Sequence, residues 1–192
     1  MMKFTGKGIF TYPDGKTYEG DFLEDLPDGV GLMTYANCDT YDGHWVAGKM
    51  QGHGTYRFYD PNCDRFNGFY EGFFVNSQFN GWGKREYQNK SQYCGNWKHG
   101  KRNGEGQIQF ATGETYSGYW TDDELTEGVA HFVDGSLYVG HFMNYQFCGF
   151  GTYFAPDGTM LQGIWNGCML TKGVEISTNG EIRDVIDSQK FV

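Results

Sequence analysis

Residues that build helical cores are scarce in this 192-residue chain, which contains only seven Leu and five Ala. Helical bundles, coiled coils and doubly wound α/β domains depend on such residues, so these three architectures are excluded. Collagen is excluded as well, because the chain has four prolines and no continuous Gly-X-Y triplet. Glycine and aromatic residues are abundant, with 30 glycines and 18% aromatic side chains. That much aromatic surface argues against disorder.

Targeting signals and paired cysteines are also missing. No apolar run approaches the roughly 18 residues of a membrane helix. The first ten residues contain two lysines and no apolar stretch of the kind found in a secretory signal. The five cysteines are odd in number and form no CxxC pair. These features predict reduced thiols and a cytosolic or nuclear location.

Basic residues are outnumbered, with 15 Lys and Arg against 24 Asp and Glu and a net charge of −9. Binding to nucleic acid requires basic side chains that neutralise phosphates, so a nucleic-acid partner is not expected. Broad adhesion to anionic lipid is disfavoured for the same reason, although less strongly.

One five-residue pattern recurs along the chain: Tyr, any residue, Gly, any residue, aromatic. Copies begin at residues 18, 41, 70, 93, 116 and 138, and a degenerate copy begins at Leu161. A Gly-any-Gly unit starts seven residues after the closing aromatic in most copies, as in Gly52 and Gly54 after Trp45. Repetition at a fixed spacing predicts a repeat protein in which every copy is one structural unit.

Each repeat has the pattern of two short strands. Tyr41, Gly43 and Trp45 alternate with polar residues, as a half-buried strand requires, and Gly52 and Gly54 open the second strand. Turn pairs such as Asp157-Gly158 would close the hairpins. Since glycine has no Cβ, a neighbouring ring can lie flat on its backbone and the strand can bend. The sequence therefore predicts an all-β fold: an elongated, single-layer antiparallel β-ribbon of about 15 strands, roughly 70 Å long.

The repeats resemble the membrane occupation and recognition nexus, or MORN, family, most closely at residues 41–54 and 93–106. The resemblance covers about residues 6–174. On this basis we expect a MORN-repeat domain at 1–180, with a half-repeat at 6–17 and full repeats starting near 18, 41, 70, 93, 116, 138 and 161. The copy that starts at residue 41 is 29 residues long and contains six extra residues within about 59–69. That excess is either a tolerated insertion or an added contact.

The tail at 181–192 departs from the repeat pattern and is expected to be a C-terminal cap or a polar tail. Ile182, Val185 and Ile186 have the i, i+3, i+4 spacing of a short amphipathic helix. Such a helix would cap the last strand, because repeat stacks need their ends covered.

No arrangement of residues indicates catalysis or a cofactor. The five histidines occupy variable repeat positions, which is typical of solvated surface side chains. The Gly-any-Gly units lead into strands, whereas phosphate-binding loops lead into helices. Cys38, His44, His53 and Cys63 have spacings that match no zinc signature. We therefore expect a non-enzyme with no catalytic residues, no metal and no cofactor.

A single-layer sheet would leave part of its aromatic face uncovered, and this groove is the candidate partner site. The alternative is that these side chains only pack against neighbouring repeats. A helix or an extended peptide of a protein partner would suit such a groove. The candidate residues are Tyr56, Phe58, Trp82, Tyr87, Ile108, Phe110 and Tyr153.

Charge is unevenly distributed along the chain. Residues 103–171 contain no Lys or Arg, while six basic residues fall within 84–102. The alternatives are random surface charge, two docking zones, or self-association between copies. The candidate basic patch comprises Lys84, Arg85, Lys90, Lys98, Lys101 and Arg102.

The MORN resemblance implies a non-catalytic scaffold or adaptor that binds protein partners in a cytoskeletal assembly. The implied settings are the ciliary axoneme with its radial spokes, or the cell cortex. A cytoplasmic, cytoskeleton-associated location, including the cilium or flagellum, follows from the same resemblance. The alternative is a phosphoinositide-binding membrane tether that uses the basic patch, which the net charge disfavours.

Overall fold

The computed structural model describes residues 3–62 and 65–186, and in these ranges the chain consists of strands and turns with no helix. The strands are β1 Gly6–Thr11, β2 Thr17–Leu23, β3 Leu26–Thr34, β4 Thr40–Val46, β5 Lys49–Asp60, β6 Arg65–Val75, β7 Gln78–Glu86, β8 Gln92–Lys98, β9 Lys101–Gln109, β10 Thr115–Thr121, β11 Glu124–His131, β12 Leu137–Met143, β13 Gln146–Phe154, β14 Met160–Asn166, β15 Met169–Ile176 and β16 Ile182–Ile186.

These strands form one sheet in the order of the sequence, beginning at β1 and ending at β16, so the sheet is open. Neighbouring strands pair antiparallel, as in β4 with β5 and β13 with β14. The predicted all-β antiparallel sheet of successive hairpins is confirmed. The chain divides into two compact units, Met1–Lys101 and Arg102–Val192, which are described separately below.

The tyrosine and closing aromatic residue of each motif in the first unit share one face of the sheet, here called the ring face. Register places Tyr41 opposite Tyr56 and Met33, and Gly43 opposite Gly54 and Gly31, so side chains of the motif meet across three strands. Tyr41 is fully buried on this face. The opposite face, here called the plain face, carries the alternating residues such as Asp42 and His44.

The tyrosine rings lie directly on glycine backbone, as the sequence predicts. A Cβ added to Gly54 would come 2.5 Å from the hydroxyl oxygen of Tyr41, far inside van der Waals contact. The same hydroxyl donates a hydrogen bond to the carbonyl of His44 at 3.1 Å. Trp45 packs edge-on against Tyr41 at 5.0 Å, and its Nε1 donates to the carbonyl of Gly31 at 3.0 Å. The buried polar atoms of both rings are therefore hydrogen-bonded within the sheet.

The two glycines of a Gly-any-Gly unit perform different tasks. Gly54 provides space for the ring of Tyr41, whereas Gly52 has a φ of +70°, in the left-handed region that side chains disfavour. At this point the register slips: Gly43 is opposite Gly54, but Trp45 is opposite Met50. Gly52 thus lies in a β-bulge, which bends and twists the strand.

The second unit repeats this packing in its own strands. Tyr138 is fully buried and stacks on Phe147, with ring centroids 3.8 Å apart and planes 3° from parallel. Trp165 donates from Nε1 to the carbonyl of Gly151 at 3.0 Å. The degenerate copy at Leu161 also forms a paired strand, and Leu161 takes the buried place of the tyrosine.

The predicted C-terminal helix is wrong over residues 182–186, which form strand β16 alongside β15. A turn at Asn179 and Gly180 reverses the chain, with the amide of Gly180 donating to the carbonyl of Ser177 at 2.8 Å. A helix this short has a high nucleation cost, whereas β16 gains hydrogen bonds from a preformed neighbour. Residues 187–192 of the predicted cap lie outside the described residues.

The extra residues near 59–69 lengthen two strands. β5 has 12 residues and β6 has 11, and the added portion pairs Tyr59 with Phe66 and Asp60 with Arg65. Asp60 is buried and accepts a hydrogen bond from Gln88 at 3.1 Å, so the extension contacts the next turn. Cys63 lies outside the described residues.

Adding one methyl group at Gly54 should test the packing of rings on glycine. We expect Gly54→Ala to lower the free energy of unfolding by about 1–3 kcal/mol, because the Cβ would displace the ring of Tyr41. Gly8→Ala is the matched control, since its Cβ would meet only the side chains of Phe4 and Phe22, at 3.3 Å or more. Its expected change is under about 1 kcal/mol. Urea unfolding measures both, and equal losses would contradict the packing argument.

Candidate functional site

The ring face of the first unit is incompletely covered near its hairpin turns. Tyr35, Tyr56, Phe58 and Tyr87 are half-buried there, in contrast to the fully buried tyrosines of the motif. With Arg85 they form what we call the turn-side cleft.

The cleft is a continuous run of side chains in contact. Tyr35 and Tyr56 have ring centroids 5.8 Å apart, and Tyr56 and Phe58 are 4.9 Å apart. The guanidinium of Arg85 lies over Phe58 at 4.7 Å and over Tyr87 at 4.8 Å. These cation–π contacts order the aromatic rings of the cleft around a positive charge.

A cavity of about 370 Å³ opens at one end of the cleft, lined by Asp14, Lys16, Tyr35, Ala36, Asn37 and Tyr56. This volume lies within the range of roughly 300–1,000 Å³ typical of ligand pockets.

Asp39, which is 9% exposed, is hydrogen-bonded through its carboxylate to two of the residues that line the cavity. It accepts hydrogen bonds from the Tyr56 hydroxyl at 2.9 Å, the Asn37 amide nitrogen at 2.9 Å and the Tyr59 backbone amide at 2.7 Å. The position of Tyr56 is therefore fixed by a buried acid as well as by its aromatic neighbours.

The environment of the cleft disfavours further negative charge. Burial, with a contribution from Asp39, raises the pKa of Tyr35 to about 12. Burial also raises the pKa of Tyr56, and its hydrogen bond to Asp39 raises it further. Both shifts favour the neutral phenols, so the rings present their electron-rich faces without ionising at physiological pH.

The seven predicted groove residues do not share one surface. The turn-side cleft contains Tyr56, Phe58 and Tyr87. In the second unit, Phe110 is half-buried and packs edge-on against Tyr116. The other three lie elsewhere. Ile108 and Tyr153 are core residues, 4% and 8% exposed, and Trp82 is 57% exposed but lies on the plain face. Ile108 and Tyr153 are covered because each faces a motif tyrosine across the sheet, Tyr116 and Tyr138.

The basic patch is likewise divided between faces. Lys84 lies on the plain face between Glu71 and Cys94, whereas Arg85 lies on the ring face between Tyr70 and Tyr93.

The remaining basic residues have separate surroundings. Lys90 forms an ion pair with Glu86 at 2.9 Å, and Lys98 and Lys101 are exposed. In the second unit, Arg102 lies over Trp120 at 4.2 Å and pairs with Asp123 at 3.2 Å. Contiguity in sequence therefore does not amount to one basic surface.

Tyr35 of the cleft and Asp39, which bonds to Tyr56, are not among the candidates predicted from the sequence. A signal for Tyr35 exists, because the fourth residue after the second glycine is repeatedly aromatic: Tyr12, Tyr35, Phe58, Tyr87, Phe110 and Phe132. No such signal exists for Asp39, which is reached by Tyr56 from 17 positions further along the chain.

Histidine and cysteine side chains do not gather at the cleft. His44 and His53 belong to the interiors of β4 and β5, where the His44 ring is 3.2 Å from the His53 carbonyl oxygen, and Cys38 is exposed in a turn. Within residues 3–62 and 65–186, no three His, Cys, Asp or Glu side chains are arranged to hold a metal ion. The same ranges contain no helix with the length and apolarity needed to cross a bilayer.

The sheet order and the glycine-packed rings define a β-hairpin repeat protein. A family model for the MORN repeat matches residues 3–17, 18–38, 41–60, 70–92, 93–115 and 138–160. The chain therefore belongs to the MORN repeat family, as the sequence pattern indicated.

Alsin is similar to this chain over part of its length. Rat alsin is 30% identical over 198 residues, and human alsin is 28% identical over 198 residues. In both cases the match covers 84% of this chain but only 12% of alsin.

Among solved structures, the TCP domain of Drosophila SAS-4 in complex with a proline-rich motif of Ana2 is similar at 16% identity and a TM-score of 0.49. The match covers 94% of this chain and 90% of that domain. A similarity of this size supports no conclusion about the function of this chain.

Alkaline pH should destabilise the protein through its buried tyrosines. Burial raises the pKa of both Tyr18 and Tyr35 to about 12, whereas an unfolded chain titrates near 10. The folded state then binds more protons than the unfolded state above pH 10, so stability falls as the pH rises from about 10 to 12. Urea midpoints at stepped pH, followed with tyrosinate absorbance, measure this. A midpoint that stays constant over this window would contradict it.

Proposed function

We propose that this chain is a non-catalytic scaffold that binds protein partners at the turn-side cleft. The observation that carries the proposal is a row of half-buried rings on a face whose motif tyrosines are fully buried; the row consists of Tyr35, Tyr56, Phe58 and Tyr87. Exposed apolar surface of this kind is characteristic of docking sites for helices or extended peptides. Membership of the MORN repeat family supports a binding role over catalysis.

The setting we propose is a cytoskeletal assembly in the cytoplasm, such as the ciliary axoneme with its radial spokes or the cell cortex. This setting rests on the family resemblance. The uneven charge adds the proposal that copies of the chain associate, with basic residues concentrated in 84–102 and acidic residues in 103–171. Charge-driven association of this kind would weaken as salt screens the contacts.

A phosphoinositide-binding tether is the second candidate, and Lys98 and Lys101 are exposed side chains that could support it. Two features favour the scaffold. Arg85 and Arg102 are stacked on aromatic rings, and the net charge of −9 opposes attraction to anionic lipid. Flotation with phosphoinositide liposomes separates the candidates: lipid-dependent flotation that is lost on reversing the charges of Lys98 and Lys101 would favour the tether.

Capture of partners from cells tests the scaffold proposal, with mass spectrometry to identify the captured proteins. We expect the double variant Tyr35→Ala, Tyr87→Ala to reduce recovery of the principal partner by roughly tenfold or more, because aromatic anchors dominate interfaces. The control is Phe73→Ala with Trp82→Ala, which removes two exposed aromatics from the plain face. Its recovery should stay within about twofold of the unmodified chain.

The reverse pattern, with loss only in the control, would contradict a cleft-based site. Thermal unfolding by circular dichroism establishes that both variants remain folded before their capture is compared.

A further inference from the structure

We propose that the cavity beside Tyr35 and Tyr56 receives the guanidinium of an arginine from the bound protein partner. This inference rests on the proposed scaffold function and adds the chemistry of the partner residue. Three independent features of the first unit lead to it: the shape of the cavity, its unbalanced charge, and the way the unit already places its own cations.

The cavity is lined by two aromatic rings together with polar side chains. Tyr35 and Tyr56 supply two rings tilted 34° from parallel, with centroids 5.8 Å apart. The amide oxygen of Asn37, one of the lining residues, accepts a hydrogen bond from the Asp39 backbone amide at 3.1 Å and has a second lone pair for an entering N–H group. A planar guanidinium can cover an aromatic ring while its N–H groups donate to oxygens at the rim, a combination that an ammonium achieves less well.

The charge beside the cavity is unbalanced toward negative by Asp39, which is hydrogen-bonded to the lining residues Tyr56 and Asn37 but does not itself line the cavity. Asp39 has three hydrogen-bond donors, but no Lys, Arg or His nitrogen of the described residues lies within ion-pair distance of it. Lys16 also lines the cavity, yet its ammonium is 3.0 Å from Asp14, and so these two charges compensate each other. Since a buried charge is costly without a counter-charge, an entering cation would be favoured.

The unit's own cations show how this face takes a positive charge. The ammonium of Lys16 lies 4.7 Å above Tyr12, and the guanidinium of Arg85 lies between Phe58 and Tyr87 at 4.7 and 4.8 Å. Tyr35 and Tyr56 lie between these two occupied places in the strand order, and no cation of the described residues lies over either ring. A partner arginine would complete the series.

Titration of the chain with N-acetyl-L-arginine methylamide, followed by backbone amide NMR, tests the cavity directly. We expect saturable shifts at Tyr35, Ala36 and Asn37, with a dissociation constant on the order of millimolar. The uncharged analogue N-acetyl-norleucine methylamide should produce none. Absence of shifts up to about 50 mM probe, or equal shifts with both probes, would overturn the inference.

Two substitutions test whether arginine binding depends on the negative charge of Asp39 and on the ring of Tyr35. Asp39→Asn should weaken arginine binding by roughly fivefold or more, while Asp42→Asn, which removes an exposed carboxylate from the plain face, should change it less than about twofold. Tyr35→Leu removes one ring and provides a second readout if Asp39→Asn lowers the urea midpoint. Unchanged binding in a folded Asp39→Asn or Tyr35→Leu protein would overturn the inference.

The experiments distinguish failure of the scaffold proposal from failure of the arginine inference. If the variant of Tyr35 and Tyr87 loses its partner while the arginine probe does not bind, the scaffold function stands and the arginine inference falls. If the probe binds but partner recovery is unaffected by the cleft variant, the cavity is a cation site and the scaffold proposal falls.

Discussion

A tyrosine ring lying on the bare backbone of two glycines is the contact on which the rest of this structure depends. Because Gly54 has no Cβ, the ring of Tyr41 closes against the main chain of the next strand. Its hydroxyl and the indole nitrogen of Trp45 both donate to backbone carbonyls, so ring burial leaves neither donor unsatisfied. The described strands can thus bury large side chains in a sheet that has no helix packed on it.

The same arrangement explains where the sheet is open. Close packing extends from the motif tyrosine to the motif tryptophan, where glycines lie on the neighbouring strand. Nearer the hairpin turns the side chains stay half-buried: Tyr35 contacts Tyr56, and Phe58 and Tyr87 contact Arg85. The proposed partner site is therefore a direct consequence of where the repeat places its glycines.

The basic residues show that neighbours in sequence can lie on opposite faces of the sheet. Lys84 and Arg85 are adjacent, yet the two-residue period sends one to the plain face and the other into the aromatic cleft. Arg102 belongs to the second unit, where it stacks on Trp120 and pairs with Asp123. A basic segment in a β protein is thus a poor guide to a basic surface. Period-two alternation also places Trp82 on the plain face, whereas its neighbour Gly83 lies on the ring face.

The sequence by itself determined the repeat, the strand pairs, the buried motif tyrosines and the nesting of rings on glycine, because these follow from a local pattern repeated at fixed spacing. Tertiary structure alone decided the rest. Residues 182–186 are a strand because β15 offers hydrogen bonds that a five-residue helix cannot match. The extra residues near 59–69 became longer strands for the same reason. Asp39 meets Tyr56 only when two hairpins lie side by side, and no local pattern encodes that contact.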